Sequence, residues 1–192
     1  MFVPSLVLDS GLLGMSLSVA MSAFLVLELL RVSNIPGLSE HIHNFMSSFT
    51  DSRDSGTFFV THITLLLGLA IPIWLSEPWM HDTGHSFMPY AGLIATGVGD
   101  AAASIVGKRY GKRKITLDGD KTLQGTLASI ISMLICWPAL SAIITIDSSI
   151  RGPVQLLWII TATVLTSSFE AITDQFDNIF ISMHYFSMLQ CL

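Results

Sequence analysis

Five apolar runs, each close to the roughly 17–25 residues needed to cross a hydrocarbon core of about 30 Å, leave this chain little choice but to fold as helices in a bilayer. They cover residues 4–30, 56–75, 86–107, 122–146 and 153–173; a sixth run, 179–192, is short for a span. A segment immersed in lipid must satisfy its own backbone polar groups, and for separate runs of this length that means α-helix. We therefore expect an all-α, polytopic membrane protein with about five to six transmembrane helices, residues 1–192 forming a single membrane domain. Charged residues make up 12% of the chain, about half the roughly 25% of an average soluble domain. The first run has no preceding Lys or Arg and no small-residue cleavage pattern, so it reads as a retained span. The spacing of Cys136 and Cys191 matches neither a metal site nor a disulfide framework.

The distribution of charge says more than its sum. Of nine Lys and Arg residues, Lys108, Arg109, Lys112, Arg113, Lys114 and Lys121 fall between the third and fourth runs, which by the positive-inside rule places that loop on the cytoplasmic side. Residues 31–55 and 174–178 are each separated from it by two spans, so the polar segments converge on one face. The third run contains Pro89, Gly92, Gly97, Gly99 and Gly107 and has an alternative as a broken or re-entrant segment. Leu38, Ile42, Phe45, Met46 and Phe49 recur at helical spacing, the pattern of an interfacial helix lying on the membrane.

Four groups of residues carry candidate chemistry. Gly92, Thr96, Gly99, Ala103 and Gly107 make a small-residue stripe whose plain explanation is close helix packing. Asp100 stands within it, and an ionised Asp costs about 2.5–3.5 kcal/mol to insert, which makes it a functional candidate. Ser104 and Lys108 follow at four-residue steps, on a face rising toward the basic loop. Lys121 and Thr122 precede an apolar run that opens with Gly125 and Thr126; a helix starting there aims backbone N–H groups at the loop, suiting a phosphate, or is simply capped and flanked by a snorkelling lysine. Thr166, Glu170, Asp174 and Asp177 share a helical face at the end of the fifth run, and such acids suit a hard cation bound through oxygen. Glu28 and Arg31 are a turn apart and read as a structural pair, with Arg53 and Asp54 ahead of the second run. The histidines His41 and His43 fall on different helix faces and make poor zinc ligands, and His184 receives no role.

Five of these elements stand in the order seen in the dolichol kinases: Arg53-Asp-Ser-Gly56, Gly97-Val-Gly-Asp100, Gly107-Lys-Arg-Tyr-Gly111, Lys121-Thr-x-x-Gly-Thr126 and Glu170-Ala-x-Thr-x-Gln-x-Asp-Asn178. From about residue 28 to 178 the chain resembles the C-terminal catalytic part of that CTP-dependent polyprenol kinase family. The resemblance implies transfer of the γ-phosphoryl group of CTP to the terminal hydroxyl of dolichol, at the cytosolic face of the endoplasmic reticulum membrane, in support of protein glycosylation.

It further implies Gly97, Gly99, Lys108, Arg109, Lys112, Lys121, Thr122, Gly125 and Thr126 around the nucleotide. Asp100, Glu170 and Asp177 would be the catalytic acids, with Asp100, Asp174 and Asp177 holding Mg²⁺ or another divalent cation, and Glu28, Arg31, Arg53 and Asp54 in support. The implied partners are dolichol or a related polyprenol, CTP and the bilayer, with no nucleic acid. Where the family has Lys-Thr-x-Glu-Gly-Thr this chain has Gln124, which removes one carboxylate from the site. Two other functions fit parts of the pattern: nucleotidyl transfer of the phosphatidate cytidylyltransferase kind, and a non-catalytic transporter or lipid-binding subunit with Asp100 and Glu170 lining a polar path.

Overall fold

The computed structural model describes residues 9–33, 35–47, 60–83, 88–115, 121–143, 153–173 and 177–191, and it is helical almost throughout. Helix α1 (Ser10–Val32) begins at Asp9, whose carboxylate accepts hydrogen bonds from the N–H groups of Gly11 (3.0 Å) and Leu12 (3.2 Å). Such a cap satisfies two of the donors that every helix start leaves unpaired. The amphipathic α2 (Leu38–Ser47) exists as its periodicity predicts, but it folds back on α1. Ile42 and Met46 bury themselves against Phe24, Leu27 and Leu30, while Leu38 and Phe45 stay exposed. Phe49 lies outside the described residues.

Helix α3 (Val60–Thr83) follows; its apolar part, Val60–Ser76, is shorter than the four helical segments long and apolar enough to span, namely Gly11–Val32, Met88–Tyr110, Leu123–Leu140 and Pro153–Ile172. Over its described residues the glycine-rich third run is an unbroken helix. It is helical from Met88 to Tyr110, passing from a 3₁₀ turn (Met88–Tyr90) into a π-helix (Leu93–Asp100) and then α4 (Ala101–Tyr110). Wider π turns are rare and cluster at functional sites. Helices α5 (Leu123–Ile143) and α6 (Pro153–Ile172) form the next two spans, α6 opening on a proline whose missing N–H costs nothing at that position.

The sixth run, short for a span, packs into the bundle. It forms α7 (Asp177–Leu189), whose Ile181, Tyr185, Phe186 and Leu189 are buried in the core with Ile73, Ile94, Met133, Trp137 and Ile159. A 13-residue helix is only about 20 Å long, yet its polar groups find partners inside the bundle. Trp137 Nε1 donates to the Tyr185 hydroxyl at 2.6 Å, that hydroxyl meets Thr163 Oγ1 at 3.1 Å, and Ser182 meets Thr96 at 2.6 Å. Interhelical bonds of this kind contribute roughly 0.6–2 kcal/mol each in a membrane and fix which faces meet.

The small-residue stripe does pack closely, though against three neighbours rather than one. A Cβ at Gly92 would collide with the Gly68 carbonyl oxygen of α3, Thr96 bonds α7, and Gly99 abuts Ser129 and Met133 of α5. A π turn takes more residues than an α turn, so residues three or four apart in this stretch no longer stack on one line. Met15, Val19, Val26 and Leu29 of α1 and Val154 and Leu157 of α6 remain exposed, as lipid-facing side chains must be.

Candidate active site

The end of α4, the start of α5, the end of α6 and the start of α7 come together at one end of the bundle. Lys108 and Arg109 occupy the last turn of α4, where cations offset the negative end of the helix dipole. After Gly111 the chain turns back and pairs with the approach to α5: Ile115 N–H donates to the Lys121 carbonyl (3.0 Å), Leu123 N–H to the Arg113 carbonyl (2.9 Å), and Lys114 faces Thr122. This short antiparallel pairing leaves Lys112, Arg113 and Lys114 exposed on one folded loop, next to the exposed Lys108 and Arg109 of the last turn of α4.

Gln124 takes part in holding that loop. Its Oε1 accepts from the backbone N–H groups of Lys112 (3.2 Å) and Arg113 (3.4 Å), a contact that a carboxylate at this position would make equally well. The residue that departs from the family pattern thus has a task that does not depend on charge, and the sequence alone offered no sign of it.

Helix α5 lies close against α4 because Gly125 allows it. A Cβ there would stand 2.8 Å from the Ala103 carbonyl oxygen and 3.4 Å from Gly107 Cα. Thr122 caps the helix, its Oγ1 accepting the Gly125 N–H at 3.2 Å, and the Thr126 hydroxyl donates to the Thr122 carbonyl at 3.3 Å. Of the first-turn N–H groups of α5, that of Leu123 donates to the Arg113 carbonyl of the basic loop and that of Gly125 to Thr122, so both are bonded within the protein. Thr122 and Gly125 therefore shape the floor of the site.

The acids approach from the other side of α5. Helix α6 buries Thr163, Thr166, Ser167 and Glu170, the last only 5% exposed. Ser167 bonds Ser129 of α5 at 3.2 Å, and Ser129 is also what Gly99 rests on. Asp100, half-buried at the last residue of the π-helix, and Glu170, one turn beyond Ser167, thus flank nearly the same level of α5. From Asp100 onward the backbone is α-helical, so Asp100, Ser104 and Lys108 do share a face, with Lys108 exposed at its top. Gly97 is different: it is exposed, and the nearest neighbour a Cβ would meet is Leu93 of its own helix at 3.6 Å.

Asp177 opens α7 next to Asn178, whose carbonyl accepts a hydrogen bond from Thr96 Oγ1 at 3.2 Å, about one turn below Asp100. The Asp177 side chain and all of Asp174, Arg53 and Asp54 lie outside the described residues. His184 sits beside the acidic helix: its Nδ1 bonds Thr166 Oγ1 at 3.0 Å and its ring stacks on Phe169, with centroids 5.1 Å apart. Glu28 and Arg31 form the expected pair, Arg31 Nε to Oε2 at 2.9 Å and Nη2 to Oε1 at 2.6 Å, on α1, which packs mainly on α2 and α3.

Among the described residues, no three His, Cys, Asp or Glu side chains gather as a metal cage. A magnesium ion in phosphoryl transfer needs only one or two protein carboxylates, the nucleotide phosphates and water completing its shell.

No family model and no solved structure matches the chain. Curated relatives do. The chain is 38% identical over its whole length to the dolichol kinase EVAN of Arabidopsis thaliana, covering 33% of that protein. It is 34% identical over 98% of its length to the dolichol kinase of Homo sapiens, covering 35% of it, and 33% identical over 94% to that of Saccharomyces cerevisiae, covering 32%. The chain spans about a third of the length of these relatives. From end to end it is a homologue of the dolichol kinases, matching one third of theirs.

Proposed function

We propose that this chain carries the phosphoryl-transfer site of a dolichol kinase, taking the γ-phosphoryl group of CTP to the terminal hydroxyl of dolichol or a related polyprenol. One observation carries the reading: the exposed cations of the folded loop and the buried Glu170 are joined at a single residue, Lys121, whose ammonium bonds the Glu170 carbonyl and whose own carbonyl bonds the loop. A polyisoprenoid alcohol cannot leave the bilayer, so its hydroxyl must meet a soluble nucleotide where spans end. This chain assembles its charges at such a place.

In this mechanism Lys108, Arg109 and Lys112 neutralise the triphosphate. Charge neutralisation and positioning account for most of the catalysis in phosphoryl transfer. Asp100, Asp174 and Asp177 would hold Mg²⁺, which when bound screens the phosphate oxygens. A carboxylate, Asp100, Glu170 or Asp177, orients the alcohol and takes its proton as the new oxygen–phosphorus bond forms. The β–γ bridging bond breaks and CDP leaves.

Purified protein supplied with Mg²⁺, dolichol and CTP labelled at the γ-phosphate is expected to give labelled lipid. Lipid labelled only from α-labelled CTP would make the reaction nucleotidyl transfer instead, and no transfer of either label would remove the enzymatic reading. We further place the site on the cytosolic side of the endoplasmic reticulum membrane. Single cysteines at positions 53, 112 and 174 are expected to react with a membrane-impermeant maleimide from the cytosolic side in sealed microsomes; protection of any one of them until the membrane is opened would split the site.

A further inference from the structure

Lys121 stands where a triphosphate ligand is expected, yet its ammonium faces the protein. Nζ donates to the carbonyl oxygens of Glu170 at 2.7 Å and Thr173 at 3.0 Å, residues 49 and 52 positions further along the chain. Both carbonyls belong to the end of α6, where a helix leaves its last C=O groups without partners in the next turn. A cation there also meets the negative end of the helix dipole. On its other side, the Lys121 carbonyl accepts the Ile115 N–H at 3.0 Å, and the next residue, Thr122, caps α5. Three elements that are otherwise separate in sequence, the basic loop, the start of α5 and the acidic end of α6, are thus tied at one residue.

We propose that Lys121 is a positioning residue: it sets the distance between the basic loop and the Glu170 end of α6, and it acts on phosphoryl transfer through that distance rather than by holding the triphosphate. The proposal rests on the reading of these two elements as one site, and it makes a separate structural statement that survives if that reading fails. A phosphate ligand and a clamp have different signatures. Loss of a ligand weakens binding of the nucleotide in proportion to its phosphates, whereas loss of a clamp misplaces groups that are still present and so lowers kcat at nearly constant KM.

The test uses the full chain with Cys136 and Cys191 replaced by serine, and spin labels at two exposed positions, Tyr110 beside the loop and Ile172 at the end of α6. Pulsed electron-spin measurements should give one narrow distance for the parent protein. Lys121→Met should broaden or shift it, and Lys121→Gln, which keeps an N–H donor without the charge, should restore part of the parent distribution. In unlabelled protein, Lys121→Met should lower kcat by at least about 10-fold with KM for CTP within about 2-fold, and Lys121→Gln should recover part of the loss. An unchanged distance in Lys121→Met would overturn the clamp. A KM raised about 10-fold with kcat intact, equally in Met and Gln variants, would overturn it too and make Lys121 a triphosphate ligand. If the parent protein transfers no γ-label, the kinase reading fails and the distance measurement alone decides the clamp.

Discussion

Replacing Asp100 by Asn is expected to lower kcat for phosphoryl transfer by at least about 10²-fold, the low end for loss of a general base or of a strong electrostatic contact. The side chain is half-buried at the last residue of a π-helix, between Gly99, which rests on α5, and α4, which rises to Lys108. Asn is nearly isosteric and is neutral, so it removes the charge while keeping the side chain's shape, and the fall in activity should far exceed any change in thermal stability in detergent. Measured together, the two quantities separate the roles. Retained activity with a large fall in melting temperature would make Asp100 a structural partner, and the acids would then be sought at Glu170 and Asp177.

The second large effect is on stability. Glu28 and Arg31 form a two-pronged ion pair whose side chains are only 5% and 10% exposed. Removing one member of such a pair takes both charge-assisted hydrogen bonds from the other, and for a buried pair this costs about 3–5 kcal/mol. Because Arg31 lies in the last turn of its helix and has a long stem that can reach interfacial water, the low end, about 3 kcal/mol, is expected for Glu28→Gln. Arg31→Met removes the other half of the pair and should be similarly damaging. The double replacement Glu28→Leu/Arg31→Leu removes both charges together and should lose no more than either single change. Thermal unfolding in detergent, followed by tryptophan fluorescence, gives all of these values, and strictly additive losses would show that the two side chains act independently.

The helical spans were legible in the sequence because hydrocarbon thickness and backbone satisfaction are one-dimensional constraints: a run of the right length and polarity has a single solution wherever it sits. For the same reason the order of motifs, the clustering of cations in one loop and the pairing of Glu28 with Arg31 a turn away could all be read without coordinates. The sixth run was not legible, since a short apolar helix reads alike at an interface and in a core. What buries α7 is a set of partners far along the chain, Trp137 and Thr163 for Tyr185 and Thr96 for Ser182.

The site divides in the same way. That Asp100, Glu170 and the basic loop are candidates for the chemistry follows from the cost of charge near lipid, which is a property of each residue and its flanks. Which groups they meet does not follow. Gln124 reads as a lost carboxylate until the folded loop brings the N–H groups of Lys112 and Arg113 onto its oxygen. Lys121 reads as a phosphate ligand or a snorkelling flank until α6 ends beside it and presents two carbonyls. A hydrogen-bonding side chain takes the acceptor that packing places within about 3 Å, and for these residues only the tertiary fold decides which acceptor that is.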